Sequence, residues 1–214
     1  MRIHYHYCRW GFSNCYILGP DSDKEASHPR EASHQKDAIM IDPGDMEPNL
    51  LNIIEDNDYT LKGVFITHDH PSHVKGLATI MRIYNTEIYA INPVIREHRA
   101  NLVRDGDVVN IGPFRVEVIA IPGHSADSAV YKIERILFTG DTLSAGLVGS
   151  TASSYAAATQ VNTLRSKLLS LPGDYTILPG QGPPTTLKAE RRFNLGLNSF
   201  VEQKNRRPVF KVEL

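Results

Sequence analysis

The apolar run Gly63-Val64-Phe65-Ile66 leads straight into Thr67-His68-Asp69-His70-Pro71-Ser72-His73, a loop carrying three histidines within six residues. A short apolar run of this kind fits a buried strand. A strand that ends in clustered imidazoles presents metal ligands at the end of a sheet. His68 and His70 are two apart, so on an extended backbone both lean to the same side, and His73 opens the helix that follows. Three ring nitrogens can then converge above the strand end. Such a loop normally supplies a carboxylate among its imidazoles, yet the position just before the third histidine is Ser72.

Further candidates sit in similar surroundings. His124 lies in Ile121-Pro122-Gly123-His124-Ser125, Asp141 in Leu137-Phe138-Thr139-Gly140-Asp141-Thr142, and Gln181 in Leu178-Pro179-Gly180-Gln181-Gly182. Each follows a strand-like run beside a glycine, where the backbone can approach closely and sites are commonly built. Asp42, in Ile41-Asp42-Pro43-Gly44, reads as shaping a turn that supports the histidine loop, and Asp127 and Ser128 read as turn caps. Arg191 and Arg192 fit a helix surface, with contact to an anionic substrate as the competing reading.

Composition narrows the function classes. With 214 residues, 41% of them hydrophobic and 22% charged, the chain can bury one substantial core, and we expect a single domain over 1–214. The net charge is −1 and lysines and arginines are dispersed, which argues against nucleic-acid binding. No run approaches a signal peptide or a membrane helix, so a cytoplasmic location is the expectation. Cys8 and Cys15 have the wrong spacing for a redox or zinc motif and are read as reduced packing residues. Residues 20–37 are polar, repeat Glu-Ala-Ser-His, and read as a mobile hairpin excursion whose histidines, His28 and His34, are too costly to order into a site. Residues 204–214 read as a solvated tail.

Alternation and turn signals predict strands near Ile3 to Tyr7, Ser13 to Leu18, Ala38 to Ile41, Gly63 to Thr67, Glu87 to Ala90, Phe114 to Ile121, Ala129 to Ile133, Arg135 to Thr139 and Tyr175 to Pro179. Helical periodicity predicts Pro48 to Asn57, Val74 to Tyr84, Tyr155 to Ser170 and Leu187 to Phe200. The order of elements suggests two β-sheets packed together with helices outside.

Taken together, these motifs resemble the metallo-β-lactamase superfamily, whose signature Thr-His-x-His-x-Asp-His is followed by separate histidine, aspartate and histidine motifs. The match spans nearly the whole chain, including Ser13-Asn14-Cys15-Tyr16-Ile17-Leu18, and its length and closing segment are most similar to short glyoxalase II-like hydrolases. The resemblance implies an αββα sandwich of two mixed sheets with the site in the cleft between them. It also implies that His68, His70 and His124 form a first metal site, with Asp141 bridging to a second. The second site of the family would fall to Ser72, His73 and Gln181, where two of the usual ligands are replaced. Asp69 occupies a variable position and is the one residue nearby that could compensate.

Losing the aspartate removes negative charge that two neighbouring dications need, and Ser72 and Gln181 are weaker ligands. One zinc ion is therefore expected, with a second weak or absent and iron or manganese as alternatives. The functional expectation is a hydrolase of a small thioester or ester, resembling glyoxalase II, with a single metal-bound hydroxide as nucleophile and Asp141 and His73 as catalytic candidates. The competing reading is an impaired or inactive scaffold of the same fold that binds a metal or a small ligand. A polar loop with no metal at all is the third.

Overall fold

The computed structural model describes residues 1–20 and 36–197. Most of the polar excursion at 20–37 and all of the 204–214 tail lie outside them.

One six-stranded sheet has the order β1-β2-β3-β4-β5-β8, built from β1 (Arg2–Cys8), β2 (Ser13–Gly19), β3 (Asp37–Ile41), β4 (Thr60–Phe65), β5 (Glu87–Ala90) and β8 (Asn101–Leu102). Between β5 and β8, β6 (Val94–Ile95) and β7 (His98–Arg99) form a small hairpin. The second six-stranded sheet has the order β16-β15-β12-β11-β10-β9, from β9 (Val108–Ile111), β10 (Phe114–Ala120), β11 (Ala129–Ile133), β12 (Ile136–Gly140), β15 (Thr176–Pro179) and β16 (Thr185–Thr186). A further hairpin pairs β13 (Leu143–Ser144) with β14 (Leu147–Val148). Both large sheets are mixed: β3, β4, β5 and β8 run parallel, as do β12 and β15, while the remaining pairs are antiparallel.

Side-chain alternation on the strands creates three apolar layers. On β2, Tyr16 and Leu18 face the opposite sheet, meeting Val116, Tyr131 and Phe138, whereas Cys15 and Ile17 face the helices. On β3, Ile39 and Ile41 join the inter-sheet layer while Ala38 and Met40 point outward. Helices α1 (Pro48–Asp56), α2 (Pro71–Val74) and α3 (Leu77–Ile83) cover the first sheet through Leu50, Ile54, Val74, Leu77 and Ile80. Helix α4 (Ser154–Thr163), continued by a wider turn over Leu164–Leu168, and α5 (Leu187–Phe193) cover the second through Val161, Leu164, Leu168 and Leu187. A strand with apolar residues on both faces has to be covered on both sides, which yields the four-layer αββα arrangement.

Several predicted elements need correction. The helix expected over Val74 to Tyr84 is two helices. Ser13 Oγ–H donates to the Ser72 carbonyl, the acceptor Gly76 would use in a continuous helix, and Gly76 N–H bonds to Pro43 O at 2.8 Å instead. The last helix stops at Phe193 rather than continuing unbroken toward Phe200, because Asn194 leaves the helical conformation (φ −68°, ψ 114°). Strand β9 was missed, since its flanking Asp107 and Gly112 resemble loop residues. Cys8 and Cys15 are buried free thiols, as expected.

The sheets are joined where the parallel strands end. Tyr131, fully buried on β11, donates its hydroxyl to Ile66 O at 2.8 Å, and Ala129 N–H bonds to Thr67 O at 2.8 Å. On the other side Asn14 Nδ2 donates to the carbonyls of Pro179 and Gly182, and Tyr16 Oη to that of Pro179. Tyr131→Phe strands the Ile66 carbonyl and is expected to lower stability by about 1 to 3 kcal/mol, read from the midpoint of denaturant unfolding.

Candidate metal centre

Strands β3, β4, β12 and β15 deliver Asp42, the histidine loop, Asp141 and Gly180 to one end of the sandwich, and the loop after β10 adds His124. Two groups of ligand atoms converge there: His68 with His70 and His124, and His68 with His73 and Asp141, each within 4.8 Å of one another.

Asp42 orients two of the histidines. Its carboxylate is buried and accepts from Thr67 N–H at 2.8 Å, from Thr67 Oγ1–H at 2.6 Å and from His73 Nδ1–H at 3.0 Å. Because the Thr67 hydroxyl proton is committed to Asp42, its oxygen can only accept from His68 Nδ1–H, 3.0 Å away. His124 Nδ1–H donates to Ser150 O at 2.8 Å. A neutral imidazole with Nδ1 protonated carries its lone pair on Nε2, so an acceptor behind each ring turns the Nε2 of His68 and His124 into a ligand atom.

Asp141 stands between the two groups. One oxygen, Oδ2, lies 3.9 Å from His68 Nε2 and 3.8 Å from His124 Nε2; the other, Oδ1, lies 3.3 Å from His73 Nε2. His68 Nε2, His73 Nε2 and Asp141 Oδ1 are buried without a well-formed hydrogen bond among the described residues. Buried polar atoms left in that state are costly unless something else satisfies them. His73 Nε2 and Asp141 Oδ1 face each other, whereas the orphaned His68 Nε2, beside the ring nitrogens of His70 and His124 and close to Asp141 Oδ2, fits a metal ion, and these four residues would form its first shell. Gly180 keeps this space open: a Cβ there would lie 2.5 Å from His73 Cε1 and 2.8 Å from Asp141 Oδ1.

Charge follows the same geometry. Burial, then the neighbouring His73, push the His68 pKa down to about 2, and burial with His124 nearby also lowers that of His70. Burial works against a charge on His73 too, but Asp141 and Asp42 outweigh it and lift its pKa to about 10. For Asp141 burial acts upward, and the close His73 brings it below the ordinary carboxylate value. Without metal, a cationic His73 is held between two carboxylates beside a neutral His68.

The other candidates are distributed as follows. Gln181 is exposed and its amide donates to Gly11 O at 3.1 Å. Ser72 is half-buried and packs against Gly11. Asp69 Oδ1 lies 3.2 Å from Arg96 Nε, so its carboxylate is engaged away from the imidazoles. Asp127 does more than cap a turn: it accepts from Asp69 N–H at 3.0 Å and Asn92 Nδ2 at 2.9 Å, fixing the backbone between His68 and His70. No local sequence signal links it to that loop. Arg191 donates to the carbonyls of Leu169, Leu171 and Gly173.

Two measurements follow. Asp42→Asn removes the acceptor that fixes both rings, and metal affinity measured by competition with a chelator is expected to fall about 10- to 100-fold. In chelator-treated protein, His73 keeps its proton to about pH 10 when folded but only to 6.5 when unfolded. Its stabilising contribution is therefore full below pH 6.5 and fades as pH rises toward 10, so the melting temperature should fall across that window, and His73→Gln should remove that slope.

The sequence model of the metallo-beta-lactamase superfamily matches residues 8–181. An uncharacterised protein of Mycobacterium tuberculosis is 30% identical over 217 residues, covering 85% of this chain and 91% of that protein. Hydroxyacylglutathione hydrolase GloC of Haemophilus influenzae is 29% identical over 191 residues, covering 77% and 89%. The crystal structure of ETHE1 from Myxococcus xanthus superposes with a TM-score of 0.77 at 24% identity, over 97% of this chain and 93% of that one. An αββα sandwich of two mixed sheets, the ordered histidine and aspartate motifs, and a family match across most of the length agree with one another: the chain belongs to the metallo-β-lactamase superfamily.

Proposed function

We propose that the chain is a metal-dependent hydrolase of small acyl thioesters or esters, working with one ion held by His68, His70, His124 and Asp141. The observation that carries this reading is the convergence of correctly oriented imidazole lone pairs with the Asp141 carboxylate. Its likeness to hydroxyacylglutathione hydrolases supports an acyl-glutathione as the first substrate to try. No helix among the described residues is long and apolar enough to cross a membrane.

When bound, such an ion polarises a carbonyl oxygen and acidifies a coordinated water to a pKa of about 7. The chain's own residues do the rest. Thr67 and Ser150, as acceptors, hold His68 and His124 in their ligating tautomers, and Asp42 keeps the Thr67 hydroxyl turned for that task. Asp141, a member of that ligand set with Oδ2 toward His68 and His124, is also the base nearest to it, and the cationic His73, fixed by Asp42, faces its other oxygen and holds the carboxylate in its deprotonated form. With Ser72 neutral, Asp141 carries that duty without the aspartate found in the family motif, which supports a slower enzyme than a two-metal relative.

The test combines metal content with turnover. Protein purified without chelator or histidine tag is expected to hold about one ion per chain. It is also expected to hydrolyse an acyl-glutathione thioester, and Asp141→Asn should lower kcat by about 100-fold or more. The neutral pair Ser72 and Gln181 is the specific observation favouring the inactive scaffold. A metal-loaded protein that turns over neither thioesters nor esters would decide for it.

A further inference from the structure

The turn between β1 and β2 is pinned from several directions. Gly11 has φ +78° and Phe12 φ +56°, left-handed conformations that a phenylalanine adopts only when its surroundings impose them. Arg9 donates to both Glu47 carboxylate oxygens, Lys75 Nζ sits 4.2 Å above the Trp10 ring, and Ser13 Oγ–H bonds to the Ser72 carbonyl. Gln181 and Ser72, 109 positions apart, both converge on Gly11. The Gln181 amide donates to its carbonyl at 3.1 Å, and Ser72 packs so closely that a Cβ on Gly11 would lie 2.8 Å from the Ser72 Cβ and 3.0 Å from its Cα. The glycine is thus needed at this point for its missing side chain as much as for its φ.

Residues 72 and 181 are the positions where the family motif carries an aspartate and a histidine for a second ion. We propose that here Ser72 and Gln181 are positioning residues for the turn at 9–12: they latch it across the second-ion half of the site through Gly11, instead of ligating metal. The proposal rests on the metal-site reading above. A longer side chain at 72 would press on the closely packed Gly11, and a histidine at 181 that ligated metal through one ring nitrogen would have only the other with which to reach Gly11 O. The replacements are therefore matched to each other through a shared partner. The latch also sets the wall of a neighbouring cavity of about 380 Å³, which Trp10 lines with Pro71, Val74, Leu77, Arg96 and His98.

Trp10 is the only tryptophan of the chain, so its emission reports the turn directly. The experiment uses the full zinc-loaded protein and compares wild type, Gln181→Ala, Gln181→Lys and Gly11→Ala. Lysine keeps a donor for Gly11 O but, while protonated, has no lone pair for a metal. Losing the latch is worth roughly a fivefold shift toward a lifted turn, the equivalent of one net hydrogen bond. The expected result is red-shifted, more readily acrylamide-quenched Trp10 emission in Gln181→Ala and Gly11→Ala, wild-type emission in Gln181→Lys, and unchanged zinc per chain in all four. Loss of zinc in both Gln181→Ala and Gln181→Lys would make Gln181 a ligand and overturn the proposal. Emission indifferent to every substitution, or a second zinc ion in the wild type, would overturn it as well. Absence of thioester turnover, with the fluorescence as expected, would instead count against the hydrolase reading alone.

Discussion

The Asp42 carboxylate is the group on which the site depends. It is buried, sits at φ +51°, and accepts a hydrogen bond from the Thr67 amide, the Thr67 hydroxyl and the His73 ring. A left-handed aspartate costs of order 1 kcal/mol or more, and an unpaired buried carboxylate far more, so the arrangement persists because the donors are in place. In exchange, one side chain dictates which nitrogen of His68 and of His73 bears the proton. Its position follows from the sheet: β3 and β4 run parallel side by side, so the residue after β3 meets the loop after β4.

The rest of the architecture brings the two halves of the ligand set together. Sheet-to-sheet bonds from Tyr131, Ala129, Asn14 and Tyr16 close around the same end of the sandwich: the first two hold the carbonyls of Ile66 and Thr67 just before His68, and the last two share that of Pro179. Asp127 braces Asp69, and Gly180 leaves the volume that His73 and Asp141 share. The site is therefore held through its backbone supports, and the β1–β2 turn beside it exposes Trp10 and Phe12.

What could be read from the sequence was the part written in local pattern. His68, His70, His73, His124 and Asp141 stand in motifs whose spacing and glycine neighbours announce them, and β-strand alternation assigned most of both sheets. What escaped depends on partners distant in the chain. Asp42 could be read as a turn residue but not as the acceptor shared by Thr67 and His73. The helix break at Gly76 originates in Ser13 capturing a carbonyl 59 residues away, and the Gln181 to Gly11 bond spans 170 residues. Periodicity carries no record of such pairings, because a hydrogen bond between remote segments leaves no mark on the spacing within either.

The candidate ligand atoms come from loops of both sheets, His68 and His70 from one and His124 and Asp141 from the other. An unfolded chain cannot gather residues so far apart without first closing long loops, at an entropic cost. Any ion held there consequently recognises only the assembled sandwich, and occupancy adds to the free energy separating folded from unfolded chain. An occupied centre would in this sense cross-link the sheets, tightened by free metal and loosened by scarcity, and would tie the stability of the fold to the metal supply around it.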